Sequence, residues 1–172
     1  MSGDPGDELV DVLDDDGRPV ATVTRREMRA RHLPHRVVYL LVFDRQGALF
    51  VHLRTPTKDV YPGYWDVAIG GVLAAGESFP EGARRELAEE LGVEGSLESP
   101  SPFRYADRDT VVHGMVYAVR HDGPFHLQPE EIVRGEFVDL PELARRIARD
   151  RFCPDGLAVL AEYRRRLPPA VS

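Results

Sequence analysis

The longest apolar run, residues 37–43, reads as a strand buried on both faces, because it shows no alternation with polar positions. A second run, 49–53, follows the turn Asp44-Arg45-Gln46-Gly47, so the two belong in the middle of a sheet. Upstream, residues 9–13 and 20–24 are shorter β-prone runs around Asp14-Asp15-Asp16-Gly17, which has the composition of a hairpin turn. Three adjacent aspartates invite a metal reading, but Asp and Gly are ordinary turn residues and the turn is preferred. Thr24 is placed to cap a short helix over 25–30 that ends before Leu33-Pro34.

The pattern changes period between Gly71 and Val93. Ser78 and Glu81 form a capping-box pair, Pro80 sits in the first turn, and Gly92 is placed to close a helix over 79–91. On that helix Glu86, Glu89 and Glu90 fall within an arc of about 100°, beside an apolar stripe of Ala83, Leu87 and Leu91. Like charges at these spacings each cost roughly 0.2–0.5 kcal/mol in an isolated helix. A hard divalent cation such as Mg²⁺, which takes oxygen ligands, reverses that sign. The plainer alternative is a solvated acidic face partly compensated by Arg84 and Arg85.

Between the second central strand and this helix lies the loop 54–66, which mixes Arg54 and Lys58 with Tyr61, Tyr64 and Trp65. Guanidinium and ammonium groups suit phosphate oxygens, so Arg54 and Lys58 are candidate diphosphate contacts as well as ordinary surface charges. Trp65 offers either a stacking surface for a base or a core side chain. Val67-Ala68-Ile69 then enters Gly70-Gly71, where close backbone approach or a bulge needs glycine.

Further along, 94–102 reads as a loop, 110–120 as a strand containing His113, 122–124 as a turn, and 128–131 as an acidic loop. Residues 134–139 read as a strand, and 141–149 and 154–166 as helices covering the sheet.

At 172 residues the chain suits one domain, with residues 1–7 a disordered N-terminus and 8–172 the folded unit. A net charge of −7 argues against an extended surface for duplex nucleic acid or anionic membrane. A small phosphorylated molecule remains compatible with it. Cys153 is the lone cysteine, the N-terminus lacks a basic and apolar leader, and no apolar run approaches the roughly 20 residues of a membrane helix. The cytoplasm is the expected location.

Gly71, five residues, Glu77, seven residues, Arg85-Glu86, an aliphatic, any residue, Glu89-Glu90, any residue, Gly92 and an aliphatic together resemble the Nudix box at every position. A chance match is expected about once in 10⁹ windows of average composition. The resemblance implies an α/β fold, an α/β/α sandwich around a mixed β-sheet. It also implies Mg²⁺-dependent, or Mn²⁺-dependent, cleavage of a diphosphate joined to another moiety. By that analogy Glu86, Glu89 and Glu90 ligate metal, Glu77 joins them or pairs with Arg85, and the Gly71 carbonyl contributes. Arg85, Glu86, Glu89 and Glu130 are the candidate catalytic residues, with Glu131 or a box glutamate an alternative base to Glu130. Arg54, Lys58, Trp65 and His35 are candidate substrate contacts, and a homodimer is compatible with family habit.

Beyond the box, the segment ELVDVLDDDGRPVATVTRREM, His35-Arg36, and Arg54 with Lys58 before Pro62-Gly63-Tyr64-Trp65 resemble the branch that includes isopentenyl-diphosphate isomerase. By similarity His35 falls where that isomerase places a metal-binding histidine. The isomerase's catalytic cysteine position holds Ile69, however, and its neighbouring histidine-ligand position holds Gly71. No Glu occurs between Glu98 and Glu130, where the acidic partner should lie. Hydrolysis is therefore expected over isomerisation. A noncatalytic nucleotide-sensing module is a third reading, and retention of all three acidic positions weighs against it.

Overall fold

The structure is a computed structural model and describes residues 3–167. Its hub is strand β3, His35–Phe43, whose continuous apolar sequence fits a strand covered on both sides. Strand β8, Val111–Arg120, runs parallel to it in unbroken register from His35↔Val112 to Phe43↔Arg120. Strand β6, Ile69–Val72, pairs antiparallel with the first half of β3, from Leu40↔Ile69 to Val37↔Val72. Strand β1, Leu9–Leu13, joins β3 at Val12↔His35 and pairs with β2, Pro19–Thr24. Strand β4, Leu49–Arg54, links β3 to β5, Trp65–Asp66, and to β9, Ile132–Val138. With β7, Glu98–Ala106, antiparallel to β8, the described residues form a mixed nine-stranded sheet.

Alternation along β3 sorts the two cores. Val38, Leu40 and Val42 face Ile69, Leu73 and the stripe Ala83, Leu87 and Leu91 of helix α2, Phe79–Leu91. Val37, Tyr39, Leu41 and Phe43 pack on the other side with Met28 of α1, Arg25–Ala30, Leu143 of α3, Leu140–Arg149, and Val159, Leu160 and Tyr163 of α4, Pro154–Arg166. Each fully buried leucine contributes roughly 1.5–3 kcal/mol. The result is the α/β/α sandwich around a mixed sheet.

Local signals explain the helix ends. Ser78 Oγ accepts from the Glu81 amide, Glu81 returns a bond to the Ser78 amide, and Gly92 closes α2 in the left-handed region at φ 67°. In the aspartate turn, Asp14 Oδ1 accepts the amides of Asp16 and Arg18 at 2.9 Å each, an Asx-type closure.

Two segments differ from expectation. The segment 94–102, read as loop, supplies the first half of β7; its prolines and sparse burial hide an edge strand, where proline is tolerated. The terminus read as disordered forms a short 3₁₀ turn over Pro5–Asp7, capped by Asp4. Arg26 holds it through 2.9 Å contacts to both Asp4 and Asp7. Residues 1–2 and 168–172 of the expected boundaries lie outside the described residues. Among the described residues no helix is long and apolar enough to cross a membrane.

Candidate active site

Helix α2 presents its carboxylates beside β6, and Arg85 gathers most of them. The Arg85 guanidinium grips Glu77 in a bidentate pair at 2.8 and 2.9 Å, and reaches Glu86 at 2.7 Å and Glu89 at 3.2 Å. Glu77 also accepts the Ala74 amide at 3.0 Å, and Arg85 holds its carboxyl below the usual range. Of the two roles expected for Glu77, the structure displays the pairing with Arg85. Its loop is pinned from behind by Arg36, which donates to the Glu77 carbonyl at 2.7 Å and to Asp11 at 2.8 Å. Asp11 in turn accepts the Gly76 amide at 2.9 Å.

Glu86 and Glu90, one turn apart, are buried, whereas Glu89 is exposed. Burial pushes Glu86 up despite Arg85, and it pushes Glu90 up to about 8, with the Glu86 charge adding to the effect. Gly71 explains how Glu86 fits: a Cβ at that residue would stand 2.6 Å from Glu86 Oε1. Gly70, at φ 148°, lets the strand cross Val38, whose carbonyl oxygen would lie 2.0 Å from a Cβ.

The donor set fits a hard divalent ion. It consists of oxygens, two of its carboxylates are desolvated without equal compensation, and a cation beside them favours their charged forms. Among the described residues, no three His, Cys, Asp or Glu side chains already converge as a metal cluster. Glu77, Glu86 and Glu89 converge instead on Arg85.

Beside Gly70 and Gly71 opens a cavity of about 270 Å³ lined by the cations Arg25, Arg29, Arg54 and Lys58 and by the carboxylates Asp59, Asp66, Glu130, Glu131 and Asp155. Arg54 donates to the Val60 carbonyl at 2.9 Å and stands 3.6 Å from Asp66. Lys58 pairs with Glu131; burial, then Arg54, lowers its ammonium to about 8 against the pull of Glu90. Glu130 and Glu131 both line the cavity; Lys58 pairs with Glu131, and Glu130 is exposed.

His35 also lines the cavity, fully buried. Its Nδ1 donates to the Leu33 carbonyl at 2.8 Å, and burial with the Arg29 charge lowers it to about 4. It is a neutral imidazole. Trp65 is not among the residues lining the cavity: it stacks on Phe152 and has the guanidinium groups of Arg134 and Arg146 within 5.3 Å of its ring. Trp65 pairs with Leu53 across the strands and packs against the core cluster that includes Val37 and Tyr39.

A NUDIX domain model matches residues 33–158. The chain belongs to the Nudix hydrolase family. An uncharacterized Nudix hydrolase of Pseudomonas aeruginosa is 40% identical over 158 residues, covering 91% of this chain and 93% of that protein. YfcD of Escherichia coli K12, also described as an uncharacterized Nudix hydrolase, is 37% identical over 160 residues, covering 92% and 88%. The crystal structure of DR0079 from Deinococcus radiodurans superposes with TM-score 0.74 at 32% identity, covering 92% of this chain and 98% of its own. The Nudix domain of Shewanella oneidensis NrtR, solved with ADP-ribose, shares the fold at TM-score 0.61 and 17% identity, covering 85% and 100%.

The cavity is also lined by residues that sequence reasoning did not single out. Arg25 and Arg29 come from the short helix before the matched region, where nothing local distinguishes them from surface charge. Asp66 and Asp155 meet at the cavity floor, and Tyr39 donates to Asp155 at 3.0 Å. Burial and then Asp155 push Asp66 up to about 7. In sequence Asp155 looks like an ordinary first-turn acid after Pro154.

Proposed function

We propose that this Nudix hydrolase, an enzyme acting on pyrophosphate bonds, cleaves the diphosphate linkage of a nucleoside-diphosphate-linked or related small molecule. Glu86, Glu89 and Glu90 would hold Mg²⁺, with Mn²⁺ a substitute, and the Gly71 carbonyl and Glu77 stand beside them. One observation carries the reading: buried Glu86 packs on Gly71, with buried Glu90 one turn away, and Gly71 lines a cavity shared with Arg25, Arg29, Arg54 and Lys58. When bound, the ion polarises the diphosphate and makes an attacking water more acidic.

The chain's own residues supply the rest. Arg54 and Lys58 offset charge on the diphosphate and on the transition state. Arg85 keeps Glu77, Glu86 and Glu89 together and orients them. Glu130 lines the cavity without a cationic partner, so it is the proposed proton acceptor.

Isomerisation, the alternative suggested by the N-terminal half, is not favoured. Ile69 is buried in the α2-side core, and burial pushes the Cys153 thiol well up. The chain is proposed to work in the cytoplasm on a small molecule, and a homodimer is compatible with the site. The test is phosphate and pyrophosphate release across a panel of nucleotide, nucleotide-sugar and isoprenoid diphosphates, with Mg²⁺, Mn²⁺ or chelator. Release with metal and none with chelator is expected. Isomerisation of isopentenyl diphosphate without hydrolysis would contradict the proposal.

A further inference from the structure

The guanidinium of Arg29 is the least compensated charge around the cavity. Its Nε is buried with no hydrogen-bond partner, and no carboxylate among the described residues lies within ion-pair distance of it. Its nearest polar neighbour is His35 Nε2, 3.5 Å from NH1. Because His35 Nδ1 donates to Leu33, Nε2 is the bare acceptor; the neutral ring takes a hydrogen and returns no charge. Arg25 and Arg54 line the same cavity and oppose the Arg29 charge, and Asp59, also on the lining, partly offsets them. Arg25 has only Glu8 at 3.7 Å, and its Nε is likewise buried and unpartnered. Asp59 draws on Arg29 from an exposed position, beyond ion-pair distance.

A partly buried cation beside like charges, with no ion pair of its own, is costly unless something anionic completes it. Three guanidinium groups lining one cavity match a group of high charge density better than a single one. A terminal phosphate monoester carries about −1.5 to −2 charges at neutral pH and three acceptor oxygens. A phosphate esterified on both sides has one charge. Guanidinium forks bind phosphate through paired, charge-assisted hydrogen bonds.

Resting on the diphosphate-hydrolase reading, we propose that Arg29, supported by Arg25, is a specificity-determining residue that binds a free terminal phosphate of the substrate. The enzyme then prefers diphosphates with an unesterified end over those capped on both ends. Arg29 reaches this phosphate from α1, outside the residues that the family model matches.

The test is calorimetric titration in chelator of inorganic pyrophosphate, and separately of a diphosphate esterified at both ends, into the wild type, Arg29→Gln and Arg29→Lys. Wild type is expected to bind pyrophosphate more tightly than the capped probe. Arg29→Gln should weaken pyrophosphate binding about 10- to 100-fold, as loss of a charge-assisted contact implies. It should leave the capped probe nearly unchanged, and Arg29→Lys should recover part of the loss. Thermal unfolding of each variant confirms that the fold is retained. Equal pyrophosphate affinity in wild type and Arg29→Gln overturns the assignment, as does absence of pyrophosphate binding by wild type or equal Arg29 dependence of both probes. The hydrolase reading fails separately: if Arg29-dependent binding persists while no diphosphate is hydrolysed with metal, the phosphate subsite stands and the catalytic proposal falls.

Discussion

Arg85 and Arg29 are both partly buried guanidinium groups at the same site, yet their surroundings are opposite. Arg85 contacts Glu77, Glu86 and Glu89 and donates to the Val72 carbonyl. Arg29 has one weak contact, to a neutral histidine, and like charges nearby. The difference separates two uses of a cation. A charge whose partners are all in the chain holds the machinery in shape, whereas one left short of partners is completed by what the cavity binds.

Removing Arg85 should test the first use with the largest effect on stability. Arg85→Gln leaves three carboxylates without their shared cation, and a loss of roughly 2–3 kcal/mol is expected by denaturant unfolding. A change below about 0.5 kcal/mol, the range of ordinary surface substitutions, would erase the contrast.

The neutral histidines give the next effect. His35 and His52 are buried and held near 4 and 3, below the ordinary imidazole value, with burial the first cause in each. The unfolded chain therefore binds more protons from about pH 6.5 down to about 4 for His35 and about 3 for His52, and stability falls as pH drops through that window. His52→Asn should flatten the slope of unfolding free energy against pH, and an unchanged slope would mean the ring is charged in the native state. A neutral His35 is also what leaves Arg29 without a charge partner.

The smallest effect is expected at Arg29 itself. Arg29→Gln should change unfolding stability by no more than about 0.5 kcal/mol, or raise it slightly, because the substitution removes mutual repulsion with Arg25 and Arg54. A loss comparable to that of Arg85→Gln would make Arg29 a structural residue.

What the sequence reveals follows from how local the cause is. Helix α2 is legible from Ser78 to Gly92 because its caps and stripe are encoded within fifteen neighbouring positions or so, and the acidic arc follows from the helical period. Strand β3 is legible because burial on both faces leaves a continuous apolar run. Strand β7 is not, since pairing with β8 makes it a strand while Pro100 and Pro102 signal the reverse locally. Trp65 shows the same limit: its identity suggests stacking, but the structure packs it against the core cluster. The cations lining the cavity join α1 to the β4–β5 loop, and Asp66 meets Asp155 from far along the chain; these are tertiary juxtapositions with no local trace. The pairing of Lys58 with Glu131 is of the same kind.

The most direct measurement is the rate of Mg²⁺-dependent phosphate or pyrophosphate release by Glu89→Gln, on the best substrate of the diphosphate panel, beside wild type. Glu89 is exposed, so the amide should fold normally. A fall in kcat of about 10³-fold, worth about 4 kcal/mol of transition-state stabilisation, is predicted with unfolding stability retained. Turnover equal to wild type would contradict the assignment of the α2 carboxylates as the catalytic metal site.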